Sequence, residues 1–152
     1  MTLPLTPRVD ERRGQYSIST DRARLDLDVI HGFLNQSYWA AGRSRERIAL
    51  SIEGSIAFGL YRNDTQVGFA RVVTDYVTLA FLADVFVLEA HRGQGLGVWL
   101  TSVATGLPEL SRVRRFMLGT RDAHELYRKF GFGEPTPGIL MDRVNASSDP
   151  QR

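Results

Sequence analysis

Val85-Phe86-Val87-Leu88-Glu89-Ala90-His91-Arg92-Gly93-Gln94-Gly95-Leu96-Gly97-Val98-Trp99-Leu100 is the stretch on which the reading of this chain turns. It opens as an apolar strand, and from Leu96 to Ala104 it places Leu96, Trp99, Leu100 and Val103 on one face of a helix. Between the two, alternate glycines remove side chains from a strand-to-helix turn. Successive backbone N–H groups can then approach a pyrophosphate, and the helix dipole favours its charge. Arg92 can add a charge-assisted contact. Two other phosphate loops fail on spacing. The dinucleotide fingerprint needs a third glycine where Val98 stands, and no lysine followed by Ser or Thr sits where a P-loop requires it.

Outward from this turn, hydrophobic period assigns the remaining elements. Upstream, Ile56–Arg62, Val67–Thr74 and Thr78–Leu88 are rich in β-branched and aromatic residues, with Asn63-Asp64 and Asp75-Tyr76 as hairpin connections. Before them come a short strand at Tyr16–Ser19, a helix over Leu25–Gln36 and a shorter helix from Ser44 that Glu53-Gly54-Ser55 closes. Downstream, Arg115–Leu118 reads as a strand, Ala123–Phe130 as a helix ended by Gly131, and Ile139–Arg143 as a last strand. A central antiparallel meander inside a mixed order predicts an α/β fold of the α+β kind, with a single mixed central sheet and helices on both faces.

The 152 residues suit one domain, expected over residues 14–144, with residues 1–13 and 145–152 as flexible tails. Composition, 43% hydrophobic and 24% charged, is that of a globular protein. Without cysteine there can be no disulfide, thiolate nucleophile or cysteine-bound metal. His31, His91 and His124 lack metal-ligand spacing, so no metal is expected. A net charge of +2 is too even to imply nucleic acid, and no apolar run is long enough for a membrane span or a signal peptide. A cytoplasmic location is expected.

Arg92-Gly93-Gln94-Gly95-Leu96-Gly97 followed by Leu126-Tyr127-Arg128-Lys129-Phe130-Gly131-Phe132 resembles the paired motifs of the GCN5-related N-acetyltransferases (GNAT). The element order resembles that fold from Tyr16 to Arg143. The resemblance implies acetyl-coenzyme A as acyl donor, its pantetheine arm lying along the backbone of Val85, Phe86 and Val87. Its pyrophosphate would meet the backbone of Arg92, Gly93, Gln94, Gly95, Leu96, Gly97 and Val98. It also implies that the strand carrying Val85 splays from Arg115–Leu118 to leave a wedge for the cofactor.

Tyr127 matches the family tyrosine that protonates the departing thiolate; Leu126 and Phe130 pair toward the core, so Tyr127 is expected off that stripe. Where the family often has asparagine, seven residues earlier, this chain has Thr120. The acceptor amine must lose a proton before attack. Asp84, alone in an apolar run and matching an acidic position of some polyamine-acetylating relatives, is either that base or a structural partner of Arg71 across the hairpin. Asp122 is expected to cap the following helix. Tyr38 and Trp39 occupy a loop that walls the acceptor site in the family; they either line that site or plug the core beneath the sheet. The expected partner is a small-molecule amine, with a homodimer left open. A protein N-terminus or lysine as acceptor, or a coenzyme A-binding sensor without turnover, are the alternatives.

Overall fold

Residues 10–118 supply the six strands of one sheet, which stand in chain order. The computed structural model describes Thr2 and residues 6–145. The strands are β1 (Asp10–Arg13), β2 (Tyr16–Ser19), β3 (Ile56–Arg62), β4 (Thr65–Thr74), β5 (Leu79–Val87) and β6 (Arg115–Leu118). Every neighbouring pair is antiparallel except β5 and β6, which run parallel.

Helices cover both faces, as the period predicted. The α3 helix (Leu96–Thr105) sets Leu96, Trp99, Leu100 and Val103 on Phe58, Ala70, Val72 and Leu82, and Tyr127 of α4 (His124–Arg128) joins that cluster. On the opposite face α1 (Leu27–Leu34) and α2 (Arg45–Glu53) bring Ile30, Leu34, Ile48 and Ile52 onto Ala57, Phe69 and Phe86. Neighbours such as Ala57 and Phe58, or Phe69 and Ala70, serve opposite cores because strand side chains alternate. The first helix starts at Leu27 because the Asp26 carboxylate accepts the N–H groups of Asp28 and Val29.

Two segments differ from expectation. Asp10–Arg13, expected within a flexible tail, is the edge strand β1, turned onto β2 at Gly14, whose φ is +60°. Its charged, exposed side chains suit an edge that must not pair further. Ile139–Arg143, expected as a last strand, forms none. Ile139 and Met141 fall on one face with Arg143, and Leu140 falls on the other with Asp142, so no register buries a single apolar face. Pro135 and Pro137 before it also lack backbone donors. Of the polar tail, residues 146–152 lie outside the described residues.

Candidate active site

The site begins with one extra residue in β5. Gly68 and Phe69 pair with Val87 and Phe86, whereas Arg71 pairs with Ala83, so β5 carries a bulge across Asp84 and Val85. Asp84 takes φ = +54°, a left-handed conformation that Asp tolerates better than most residues. Pairing between β5 and β6 stops at Leu82 and Leu118, so beyond that point the outer backbone edge of β5 has no strand partner among the described residues. A cleft of about 1440 Å³ opens there, lined by Leu82 to Val87 on one side and by Leu118 to Ala123, Leu126 and Tyr127 on the other.

At the end of β5 the chain enters the glycine turn. Gly93 and Gly95 hold φ = +78° and +77°, and a Cβ on either would meet no atom within 4 Å, since both face the open cleft. Gly95 caps α3 without a side-chain hydrogen bond, so the first N–H groups of the helix lack intrahelical acceptors. The Arg92 side chain folds back to donate from Nε to the Val87 carbonyl at 2.8 Å. Gln94 reaches away from the cleft, toward the His91 carbonyl and the Tyr16 hydroxyl. Leu96 is core, Gly97 lies against Val87, and Val98 is exposed at the mouth.

Tyr127 enters the cleft from α4. It is more buried than Leu126 or Phe130, with its ring edge-on to Phe132 at 6.2 Å; the apolar stripe therefore includes the tyrosine, contrary to expectation. Burial raises its pKa above the ordinary tyrosine value, with Tyr38 and the Asp122 carboxylate adding to the effect. Thr120, in place of the family asparagine, accepts the Ala123 N–H at 3.0 Å just ahead of α4, and no side chain caps that helix, so the capping role expected of Asp122 is not taken up.

The end of the cleft away from the glycine turn is organised around Asp84, whose side chain is 2% exposed. Its Oδ1 accepts from Trp39 Nε1 at 3.0 Å, and its Oδ2 from Arg71 Nε at 2.6 Å and Arg43 Nη1 at 2.8 Å. The pairing with Arg71 is thus present, and two further donors join it. Trp39 is half-buried against Phe33, while Tyr38 is 45% exposed. The Tyr38 hydroxyl accepts the Arg121 N–H at 2.9 Å, and the Arg121 guanidinium lies 3.9 Å from the Tyr38 ring centroid.

Residues 53–134 match the family model described as an acetyltransferase (GNAT) domain. A Gibberella zeae protein named as a candidate acetyltransferase is 35% identical, the match covering 77% of this chain and 78% of that one. The chain belongs to the GNAT acetyltransferases. A candidate GNAT acetyltransferase from Xanthomonas campestris pv. campestris superposes with a TM-score of 0.83 at 41% identity, over 87% of this chain and 94% of the other. A Staphylococcus aureus protein, described as of unknown function and a candidate acetyltransferase, gives 0.69 at 20% identity, over 86% and 99%, a likeness of fold alone.

GNAT enzymes use acetyl-coenzyme A, and this cleft fits such a donor. The open edge of β5 offers backbone groups to an extended arm, and the space a Cβ would fill at Gly93 and Gly95 lies beside unpaired N–H groups. Among the described residues no group of three or more His, Asp or Glu could hold a metal, and no helix is long and apolar enough to cross a membrane.

Two residues of this GNAT cleft escape sequence reading. Arg43 and Arg121 lie in loops without periodicity, and only the fold brings them to Asp84 and Tyr38. Asp84→Asn tests the cluster, because Asn also tolerates positive φ and keeps the shape while it removes the charge and turns one acceptor oxygen into a donor. Denaturant unfolding should show a loss of about 2 kcal/mol, as two half-buried guanidinium groups lose their carboxylate. An unchanged midpoint would mean that this cluster contributes nothing to the fold.

Proposed function

We propose that this GNAT enzyme moves the acetyl group of acetyl-coenzyme A to the primary amine of a small molecule by direct transfer, with both substrates bound together. The observation that carries the proposal is the continuity of one surface: the open edge of β5, the glycine turn at its end and the Tyr127 side chain all line a single cleft. Acetyl-coenzyme A supplies, when bound, an activated acyl group and a thiolate leaving group.

The chain's own residues supply placement and a proton. The backbone of Val85, Phe86 and Val87 is the edge on which the pantetheine arm adds as a strand. The N–H groups from Gly93 to Val98 meet the pyrophosphate, and the free guanidinium nitrogens of Arg92 stand beside it. Tyr127 holds a phenolic proton in the cleft, and its raised pKa keeps that proton in place at neutral pH, ready for the departing sulfur. Asp84 has both oxygens engaged by Trp39, Arg43 and Arg71, which suits it to positioning the acceptor wall more than to taking up a proton.

Calorimetry and mass spectrometry test this reading together. Coenzyme A at a hundredfold excess over its dissociation constant should stabilise the fold by about 2.7 kcal/mol. Pooled amines incubated with acetyl-coenzyme A should yield a product heavier by one acetyl group. No binding at millimolar cofactor would overturn the proposal, as would acetylation confined to peptide N-termini or lysines.

A further inference from the structure

The acceptor end of the cleft carries more positive than negative charge. Arg43, Arg71, Arg92 and Arg121 line the cleft against Asp84 and Asp122 alone. Arg92 belongs to the phosphate turn, and Arg121 and Asp122 are both exposed where solvent screens them. That leaves the half-enclosed centre, where Arg43 and Arg71, with side chains 16% and 14% exposed, converge on the single carboxylate of Asp84. One charge there has no counterion among the described residues, and an uncompensated charge shielded from water is costly.

The donors are also unspent. Arg71 uses Nε on Asp84 and Nη1 on the Ser55 hydroxyl. The Arg43 side chain makes one hydrogen bond among the described residues, from Nη1 to Asp84, so the rest of its fork is free toward the cleft it lines. Asp84, itself held by Trp39, fixes these guanidinium groups in place beforehand, and a guanidinium fork fits two oxygens of one anion. Such a pairing of excess charge with fixed, unused donors matches an anionic ligand.

We infer that the acceptor amine carries an oxyanion, a carboxylate or a phosphate monoester, bound by Arg43 with Arg71 beside it. The inference rests on the acetyl-transfer reading above and adds the chemical class of its acceptor. The same positive charge would disfavour an ammonium ion in the cleft, so it also helps present the amine in its neutral, attacking form.

The test offers the enzyme and acetyl-coenzyme A matched pairs that share one amine. Amino acids are set beside their primary amides, and aminoalkyl phosphates beside the corresponding amino alcohols, with transfer followed by acetyl mass gain and thiol release. The anionic member should exceed its neutral twin in kcat/KM by about tenfold or more, the scale of one charge-assisted hydrogen bond. Which kind of pair shows the advantage tells carboxylate from phosphate. In Arg43→Gln the advantage should shrink to about threefold or less while coenzyme A affinity by calorimetry is unchanged, a split that a purely structural arginine would not give. Should that variant fail to fold, Arg43→Lys, which keeps the charge and loses the fork, should reduce the advantage in the same direction. Neutral members accepted equally well, or an advantage that persists in the variant, would overturn the inference and leave acetyl transfer standing. Silence from every pair while coenzyme A binds would overturn acetyl transfer to small amines, and this inference with it.

Discussion

Gly95→Glu is expected to weaken coenzyme A binding by about a hundredfold or more while leaving the protein folded. Gly95 stands at φ = +77°, where any side chain adds roughly 1–2 kcal/mol of backbone strain. A Cβ there meets no protein atom within 4 Å, so the fold has room for the new side chain. That same room adjoins the first N–H groups of α3, where the proposed cradle takes the pyrophosphate. A glutamate would fill it and set a like charge against the phosphates. Gly95→Ala separates the two causes, since it adds the strain and a methyl group without the charge, and its loss should be about tenfold. Calorimetry with coenzyme A reads both variants, with thermal unfolding as the check on folding. Wild-type affinity in Gly95→Glu would place the phosphates elsewhere.

Tyr127→Phe should lower kcat by roughly tenfold to a thousandfold and leave coenzyme A affinity nearly unchanged. The ring keeps its edge contact with Phe132, and the hydroxyl makes no hydrogen bond to a described residue, so its removal costs the fold little. The pH profile carries a second signature. Burial raises the pKa of Tyr127, so the hydroxyl keeps its proton beyond the ordinary tyrosine value, and the alkaline limb governed by it should lie above pH ~10. That limb should vanish in the phenylalanine variant. Full kcat in Tyr127→Phe, measured where chemistry limits the rate, would reduce this tyrosine to packing.

The parts of the molecule legible in its sequence are those where local pattern and tertiary role coincide. Runs rich in β-branched and aromatic residues over Ile56–Arg62 and Val67–Thr74 mark strands because helices bury both sheet faces, and Gly93 and Gly95 mark the turn because each holds a positive φ. Asp10–Arg13 misled because an edge strand takes its hydrogen bonds from β2 and asks nothing apolar of its side chains. Ile139–Arg143 misled in the opposite sense, having strand-like composition without a face to bury. At Asp84 the pairing with Arg71 could be suspected from one acid in an apolar run, whereas the bulge shows only in the strand register. The bond to Arg43 spans 41 positions, and no local signal announces it.

Because the sheet order equals the chain order, assembly and catalysis are separated in time. From β3 to β5 each strand meets its partner across a tight turn, and such local pairings close quickly. The parallel pairing of β5 with β6 must instead wait for a crossover through α3, as the pairing of β2 with β3 waits for α1 and α2, and pairing across a long connection is slow. The phosphate turn lies inside that crossover, the wedge opens where its pairing ends, and Tyr127 follows it along the chain. During synthesis the meander can therefore be in place before any surface able to hold a coenzyme exists, and a chain stalled ahead of β6 would be a partly built sheet with no means of turnover.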